Sequence, residues 1–320
     1  MASATEELIQ QRESRFSRLW RNLQQLPGIV RHIRNTLDST HGQMMQITGE
    51  IHHMRRLLSD YTRWSQLCSD RYANPKCLTR HGFQAFSQFD EDGIIAEIFR
   101  RIGPQSRTFV EIGVGDGLEN NTCFLLLQGW RGHWIEASEA HCRLIRDKFG
   151  PQLADGQLSL HEQFVTAKNI DSILMGAGVP ADLDLLSIDI DGNDYWVYEA
   201  ITSIRPRVLV LEYNPAYGPS DAMTIACDPK FVWQVSTYYG ASLKAWELLC
   251  REKGYRLVGC GFAGVNAFFV QESCCGDHFA EPFTAEQHFE PARYELLLQT
   301  YAHSVGPCVH LPNAVKPVPG

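Results

Sequence analysis

TFVEIGVGDG (residues 108–117) is the most informative segment of this 320-residue sequence. Its first half has the composition of a short buried strand, and glycines follow at positions 113, 115 and 117. Glycine lets the backbone turn tightly and approach a ligand without a clash from a Cβ atom. The dinucleotide fingerprint GxGxxG would need a glycine where Leu118 stands. The pattern is instead ExGxGxG, and its acid, Glu111, would repel a pyrophosphate but suits a ligand with a cationic amine.

Short apolar runs alternate with helical patterns along the chain after Arg107. Seven of these runs are predicted strands: 108–113, 132–137, 157–162, 184–189, 207–213, 255–261 and 266–271. Only Phe262 to Val265 separate the last two, so they should form an antiparallel hairpin. Five β/α units that end in a hairpin predict an α/β fold, a doubly wound, mostly parallel seven-stranded sheet with one antiparallel strand.

The N-terminal segment has apolar residues at alternating spacings of three and four, which is the heptad signature of a coiled coil. Thirteen of fourteen core positions between Phe16 and Tyr61 are apolar, and the exception is Thr40. Pro27-Gly28 predicts a break or a kink in the helix, with the longer helix running from about residue 29 to 65. The segment therefore predicts a homo-oligomer through an N-terminal coiled coil, and the alternative is a helix that lies on its own catalytic domain.

Charge and hydropathy narrow the class of protein. The net charge is −8, yet residues 1–65 carry nine arginines against six acids, so the remainder is strongly acidic. A nucleic-acid partner is therefore not expected. The absence of a long apolar run predicts no membrane span, and the missing signal-peptide core predicts a cytoplasmic protein. The predicted parts are a coiled-coil segment (1–65), a connecting loop and helix (66–106), a catalytic domain (107–282), and a C-terminal helix with a Pro-rich tail (283–320).

The glycine turn and the acid of HWIEAS, Glu136, resemble the class I S-adenosylmethionine-dependent methyltransferases, whose first motif is (D/E)xGxGxG. That family has a Rossmann-like sheet with the last strand antiparallel, and its acid at the end of the second strand accepts hydrogen bonds from the cofactor ribose. Over about residues 84–272, the motifs FSQFDEDGII, VEIGVGDGLENNT, DLLSIDIDGNDYWV and VLVLEYN look like the FkbM-like methyltransferases. That family largely methylates sugar hydroxyl groups. The resemblance implies that S-adenosylmethionine contacts Gln88, Asp92, Glu111, Gly113, Gly115, Gly117, Asn121, Thr122, Glu136 and Asp189.

Acidic and amide side chains follow the fourth and fifth predicted strands, at the edge where parallel strands end together. Hard oxygen ligands there suit a divalent cation, Mg²⁺ or Mn²⁺, which could chelate a vicinal diol. We name Asp189, Glu212 and Asn214 as its ligands. The alternative is that Asp189 faces the methionine part of the cofactor while Asp191 and Asp194 cap the next helix.

A sugar hydroxyl has a high pKa, so its methylation needs a base or a Lewis acid. The candidate bases are Asp191 (if metal is absent), Lys244 (if a dry pocket lowers its pKa) and His161 at the end of the third strand. The long loop 214–233, with its aromatic residues, is predicted to be a lid over the acceptor.

The sequence thus predicts a sugar O-methyltransferase. Two other functions stay open. One keeps the methyl donor but takes a non-sugar acceptor, namely a natural product, a lipid or a protein. The other is a non-catalytic coiled-coil scaffold with a degenerate methyltransferase domain.

Overall fold

A computed structural model of the chain describes residues 2–233 and 236–294, with the side chains of the first helix described at 17, 18, 28 and from 30 onward. The chain forms two compact units, Met1–Leu58 and Ser59–Gly320. The finer division into four segments stays a prediction, and the tail after residue 294 lies outside the described residues. Within the described part, no helix has the length and apolarity needed to cross a membrane.

The first unit is built from one helix, α1 (Ala2–Leu67), which extends beyond it. The helix does not break at Pro27-Gly28 but runs through both residues, so of the two predicted outcomes only a kink remains. A proline removes one hydrogen bond and crowds the preceding turn, which can bend a helix without ending it. From Val30 to Leu58 the apolar heptad positions are exposed, for example Leu37 at 64% and Met44 at 66%.

The second unit is an α/β domain. Its strands are β1 (Thr108–Ile112), β2 (Arg131–Glu136), β3 (Leu158–Glu162), β4 (Leu185–Ile188), β5 (Val208–Glu212), β6 (Tyr255–Cys260) and β7 (Asn266–Gln271). Its helices are α2 (Glu91–Ile102), α3 (Cys123–Leu127), α4 (Glu139–Lys148), α5 (Gly150–Ala154), α6 (Ile170–Gly176), α7 (Asp194–Ala200), α8 (Leu243–Glu252), α9 (Glu272–Cys275) and α10 (Ala285–His288).

All seven strands form one sheet in the order β3-β2-β1-β4-β5-β7-β6. The first five are parallel, and β7 is antiparallel to both β5 and β6. This confirms the predicted Rossmann-like fold with its reversed strand. Strands such as β4, Leu185–Ile188, are buried along their whole length because helices cover both faces of a parallel sheet.

Two large apolar clusters cover the sheet, one centred on Trp246 and Phe269, the other on Phe109 and Trp134. Serine hydroxyls cap the helices that follow β2 and the long loop after β5: Ser138 accepts from His141 N–H and Ser242 from Ala245 N–H. The packing brings the carboxyl ends of β1, β2, β4 and β5 to one edge, where loops rather than helices face the solvent.

Candidate functional site

A cavity of about 440 Å³ lies at this carboxyl edge. Four parallel strands, β1, β2, β4 and β5, each contribute an acidic residue at or near the strand end to the cavity wall. The reversed strand β7 contributes its first residue. These strand-end residues are Glu111, Glu136, Asp189, Glu212 and Asn266. The fold therefore gathers five polar side chains from five strands around one space.

The glycine turn after β1 forms one side of the cavity. Gly113 has φ +82°, and a Cβ there would lie 1.7 Å from the carbonyl oxygen of Asp189, so no other residue fits where β1 meets β4. Gly115, also on the wall, has φ +56° and donates its N–H to Glu136 Oε2 at 2.9 Å. Gly117 is a predicted cofactor residue, but it does not line the cavity. A Cβ atom there would press on the Trp134 and Phe149 rings, so this glycine allows close packing.

Glu111 holds the segment after the glycine turn in place. Its Oε1 accepts from Asn121 N–H at 2.8 Å, and its Oε2 accepts from the N–H (3.1 Å) and the hydroxyl (2.5 Å) of Thr122. Burial raises the pKa of Glu111 to about 7, against these donors. Asn121 lines the cavity and donates to Ser187 Oγ. Thr122 does not line the cavity and has no exposed surface. Its hydroxyl also accepts a hydrogen bond from Trp134 Nε1–H.

Glu136 lies at the end of β2 with its carboxylate against two backbone donors. Its Oε1 accepts from Ser138 N–H at 2.8 Å and its Oε2 from Gly115 N–H. His141 Nδ1 lies 3.7 Å from Oε1. The carboxylate is thus fixed at the cavity wall, as the ribose-binding prediction needs, with lone pairs remaining on both oxygens.

Two further predicted cofactor residues precede β1. Gln88 lines the cavity. Asp92 does not: its Oδ2 accepts the N–H groups of Ala85, Phe86 and Ser87 at 2.7–2.8 Å. A carboxylate that receives three backbone donors organises the chain around it, so Asp92 shapes the loop that carries Gln88.

Three carboxylates from the ends of β4 and β5 lie together. Each of Asp189, Asp191 and Glu212 has an oxygen within 4.8 Å of an oxygen of the other two. Burial, followed by the neighbouring acids, raises the pKa of Asp189 and that of Glu212 well above their usual values. Asp191 is exposed and has φ +55°, a conformation that Asp tolerates better than most residues. Asp194 stays outside this acid triad, because it caps the loop by accepting from Ile190 and Gly192 N–H.

The predicted metal ligand Asn214 does not line the cavity, whereas Asp191 does. Asn214 is 1% exposed, and its amide is engaged on both sides. Its Nδ2 donates to the carbonyls of Thr237 and Tyr239, and its Oδ1 accepts from Ala216 N–H. The chain bends away from the sheet after Glu212, so Asn214 secures the following loop instead of facing the cavity.

Lys244 and His161, the other two predicted bases, do not line the cavity. Lys244 Nζ lies 2.8 Å from Glu247 Oε2 and 2.9 Å from Glu286 Oε1. Burial lowers its pKa, but these two carboxylates outweigh burial and raise it, contrary to the proposed activation. His161 Nε2 lies 3.1 Å from His133 Nδ1, with the rings stacked, which occupies it in a pair on β2 and β3.

Three asparagines on the cavity wall, Asn120, Asn193 and Asn266, were not predicted. Asn120 uses its Oδ1 to accept from Cys123 N–H at 2.8 Å, and its Nδ2 has no partner among the described residues. Asn266 Oδ1 and Glu212 Oε2 are also buried without a hydrogen-bond partner among the described residues. Asn120 adjoins the predicted pair Asn121 and Thr122, so a complete reading of the motif NNT would have included it. Predicting Asn266 as a wall residue would have required knowledge of how the reversed strand pairs with β5.

The long connection between β5 and α8 reaches the cavity through Phe231, which is on its wall. A Cβ on Gly192 would lie 2.5 Å from that ring, so the acid loop and the connection are in contact there. Asn193 fastens the same two segments by donating to Asp228 O at 2.7 Å. The lid prediction for 214–233 remains a prediction, with this contact as its structural basis.

Comparison with solved structures finds methyltransferases. The mitomycin 7-O-methyltransferase MmcR is 20% identical over 55% of this chain and 53% of its own, with a TM-score of 0.34. An S-adenosylmethionine-dependent methyltransferase from Clostridium acetobutylicum is 12% identical, over 55% and 89%, with a TM-score of 0.35. The CcbJ methyltransferase from Streptomyces caelestis is 13% identical, over 63% and 99%, with a TM-score of 0.37.

The chain thus spans about half the length of MmcR. No protein-family model and no curated protein sequence matches it. At identities of 12–20% these similarities concern the fold alone.

Proposed function

We propose that this chain is an S-adenosylmethionine-dependent O-methyltransferase that acts on a sugar hydroxyl of a glycan or glycosylated product, assisted by a divalent cation. One observation supports this proposal above the others. The glycine turn after β1, the acid at the end of β2 and the acid triad at the ends of β4 and β5 border the same cavity. A nucleoside site and an acidic site for an acceptor therefore adjoin.

The residues on the β1 and β2 side suit the cofactor. Glu136 offers fixed carboxylate oxygens to ribose hydroxyls, and the glycine turn leaves space beside it. The unpartnered Nδ2 of Asn120 is a donor suited to a carboxylate such as that of the methionine part. S-Adenosylmethionine, when bound, would supply a methyl group carried on a positively charged sulfur. After transfer of the methyl group the leaving group is a neutral thioether.

The residues on the β4 and β5 side suit a hard cation. The acid triad concentrates three carboxylates, and Glu212 Oε2 has no partner among the described residues. Oxygen ligands of this kind favour Mg²⁺ or Mn²⁺. Such an ion, when bound, would stabilise the deprotonated form of a hydroxyl group. Asp189, Asp191 and Glu212 would hold it.

The chain's own part in the reaction is to position the acceptor and take its proton. As the acceptor oxygen forms its bond to the methyl carbon, the carbon–sulfur bond breaks and its electron pair stays on sulfur. The hydroxyl proton passes to a carboxylate of the acid triad. In the absence of the cation, Asp191 suits this role because it is on the cavity wall and exposed, so it can release the proton to water.

Self-association is the second part of the proposal. The exposed apolar positions of α1 recur every three and four residues from Val30 to Leu58. Such a stripe is suited to a homo-oligomer in which a second copy of the helix covers it.

An acceptor screen tests the proposed activity. Purified protein, S-adenosylmethionine and panels of glycans, natural products, lipids and peptides are incubated with Mg²⁺ or Mn²⁺, and methyl transfer is read by mass spectrometry. We expect a gain of one methyl group on a sugar oxygen. Transfer only to a non-sugar acceptor would contradict the sugar assignment, and full activity after verified metal removal would contradict the role of the cation.

A further inference from the structure

Asn266 is a polar residue of the cavity wall in which only one of the two polar side-chain atoms has a hydrogen-bond partner among the described residues. It is 2% exposed and begins β7. Its Nδ2 donates to Glu91 Oε1 at 3.0 Å, while its Oδ1 is buried without a partner among the described residues. An unsatisfied buried acceptor is costly to a folded protein, so its retention on a cavity wall points to a ligand that donates a hydrogen bond.

Glu91 fixes which amide atom is left over. It is fully buried, and its other oxygen, Oε2, accepts from Phe89 N–H at 2.9 Å. Burial raises the pKa of Glu91 to about 7, and above that pH its ionised carboxylate can only accept, so it selects the Asn266 nitrogen and leaves the amide oxygen for the cavity. Glu91 is thus a positioning residue for Asn266.

The register of the sheet places Asn266 beside the acid triad. Asn266 pairs with Glu212 across the antiparallel β5–β7 ladder, and Glu212 Oε2 is likewise unpartnered. In the proposed function Glu212 Oε2 belongs to the cation, so Asn266 Oδ1 is the unused acceptor beside it. A group that reaches both would present one oxygen to the cation and a neighbouring hydrogen-bond donor to Asn266.

Two sources could supply such donors, namely the hydroxyls of a sugar and the ammonium of the cofactor. The strand order separates β7 from β1 by three strand spacings, about 14 Å. The glycine turn lies at β1 and Glu136 at β2, so Asn266 is on the side of the cavity away from the predicted nucleoside site. This favours the sugar.

We propose that Asn266 is a specificity-determining residue that accepts a hydrogen bond from the hydroxyl next to the methylated one, so that the acceptor is a vicinal diol. This inference rests on the proposed function and narrows its substrate class. It requires a free hydroxyl adjacent to the reacting one, and sugars with a single hydroxyl would not be held.

The test measures ligand binding, so it does not depend on knowing the natural acceptor. The probes are the methyl pyranosides of glucose, galactose and mannose, with tetrahydropyran-2-methanol as a ring carrying one hydroxyl. Their binding to the full chain saturated with S-adenosylhomocysteine is followed by saturation-transfer NMR. The main variant is Asn266→Ser, whose shorter side chain lacks the amide oxygen. Asn266→Ala is a second variant, and Gln271→Ser at the far end of β7 is the matched control.

We expect at least one pyranoside, but not the single-hydroxyl ring, to bind the wild type. Asn266→Ser should weaken that binding about tenfold and leave the affinity for S-adenosylhomocysteine unchanged. Gln271→Ser should bind like the wild type. Failure of every pyranoside to bind, equal binding by the Asn266 variants, or a parallel loss of S-adenosylhomocysteine affinity would overturn the inference. A wild type that binds no S-adenosylhomocysteine would instead contradict the proposed function itself.

Discussion

Replacing Asp191 with asparagine should stabilise the metal-free protein and abolish its stabilisation by metal. Oxygens of Asp191, Asp189 and Glu212 lie within 4.8 Å of one another. At that separation two unit charges repel by about 1 kcal/mol at the dielectric constant of water and by roughly 3 kcal/mol at an effective value of about 20. Asp191 is exposed, so the lower figure applies. For a domain of this size, about 1 kcal/mol raises Tm by about 2–4 °C.

Thermal unfolding followed by circular dichroism measures this effect, at about pH 8, where carboxylates are charged most fully. The wild type and Asp191→Asn are compared in EDTA and then with Mg²⁺ or Mn²⁺ added. Asp182→Asn is the matched control, since Asp182 is exposed and precedes the opposite end of β4. The wild type and the control should gain stability with metal, by linkage. Asp191→Asn should start higher in EDTA and gain nothing.

Two results would refute this reasoning. A lower Tm for Asp191→Asn in EDTA would mean that the carboxylate stabilises the loop, so that repulsion within the acid triad is not the dominant effect. An undiminished metal-dependent rise in this variant would mean that the ion binds elsewhere.

Three further predictions concern other parts of the chain. Glu136→Gln should weaken S-adenosylhomocysteine binding about tenfold in calorimetry, while Glu139→Gln on exposed α4 should not; equal affinities would contradict the ribose role. Burial lowers the pKa of His288 to about 4, so its stabilisation is present above the unfolded pKa of about 6.5 and lost as pH falls. Between pH 7 and 5 this residue should lower the unfolding free energy of the wild type by about 2 kcal/mol, and His288→Gln should lack that decrease. Urea unfolding at the two pH values measures it, and the same decrease in the variant would contradict the prediction. Ile47→Asp in the heptad stripe should give monomers in light scattering and Ser39→Asp should not, whereas a monomeric wild type would contradict self-association.

The sequence was sufficient to predict the sheet, because each strand carries its own local signal. Glycine positions, strand-end acids and the four-residue connection before β7 are all local patterns. They gave the parallel strands, the reversed strand and the acids Glu111, Glu136, Asp189 and Glu212 at one edge. Residues directly at strand ends are predictable because sheet pairing alone fixes where they lie.

The sequence does not indicate where side chains lie once the chain leaves the sheet. Asn214 follows Glu212 by only two residues, yet its amide holds the carbonyls of Thr237 and Tyr239 across a long loop. The burial and ion pairs of Lys244 also depend on residues distant in sequence, above all Glu286. Contacts of this kind follow from tertiary packing, which no periodicity encodes.

Asn266 shows a third situation, in which the information was present but had to be combined. A reversed strand begins at the edge where its parallel neighbours end, so its first residue joins their strand-end acids. The predicted hairpin gave the direction of β7. Only the pairing of Asn266 with Glu212, however, identifies it as a wall residue.

Calorimetric titration of the full chain with S-adenosylhomocysteine tests the central claim most directly, because the glycine turn and Glu136 are assigned to that nucleoside. The account predicts saturable binding with one ligand per chain, weakened by Glu136→Gln. No binding by the folded wild type would contradict both the proposed methyl transfer and the assignment of the cavity.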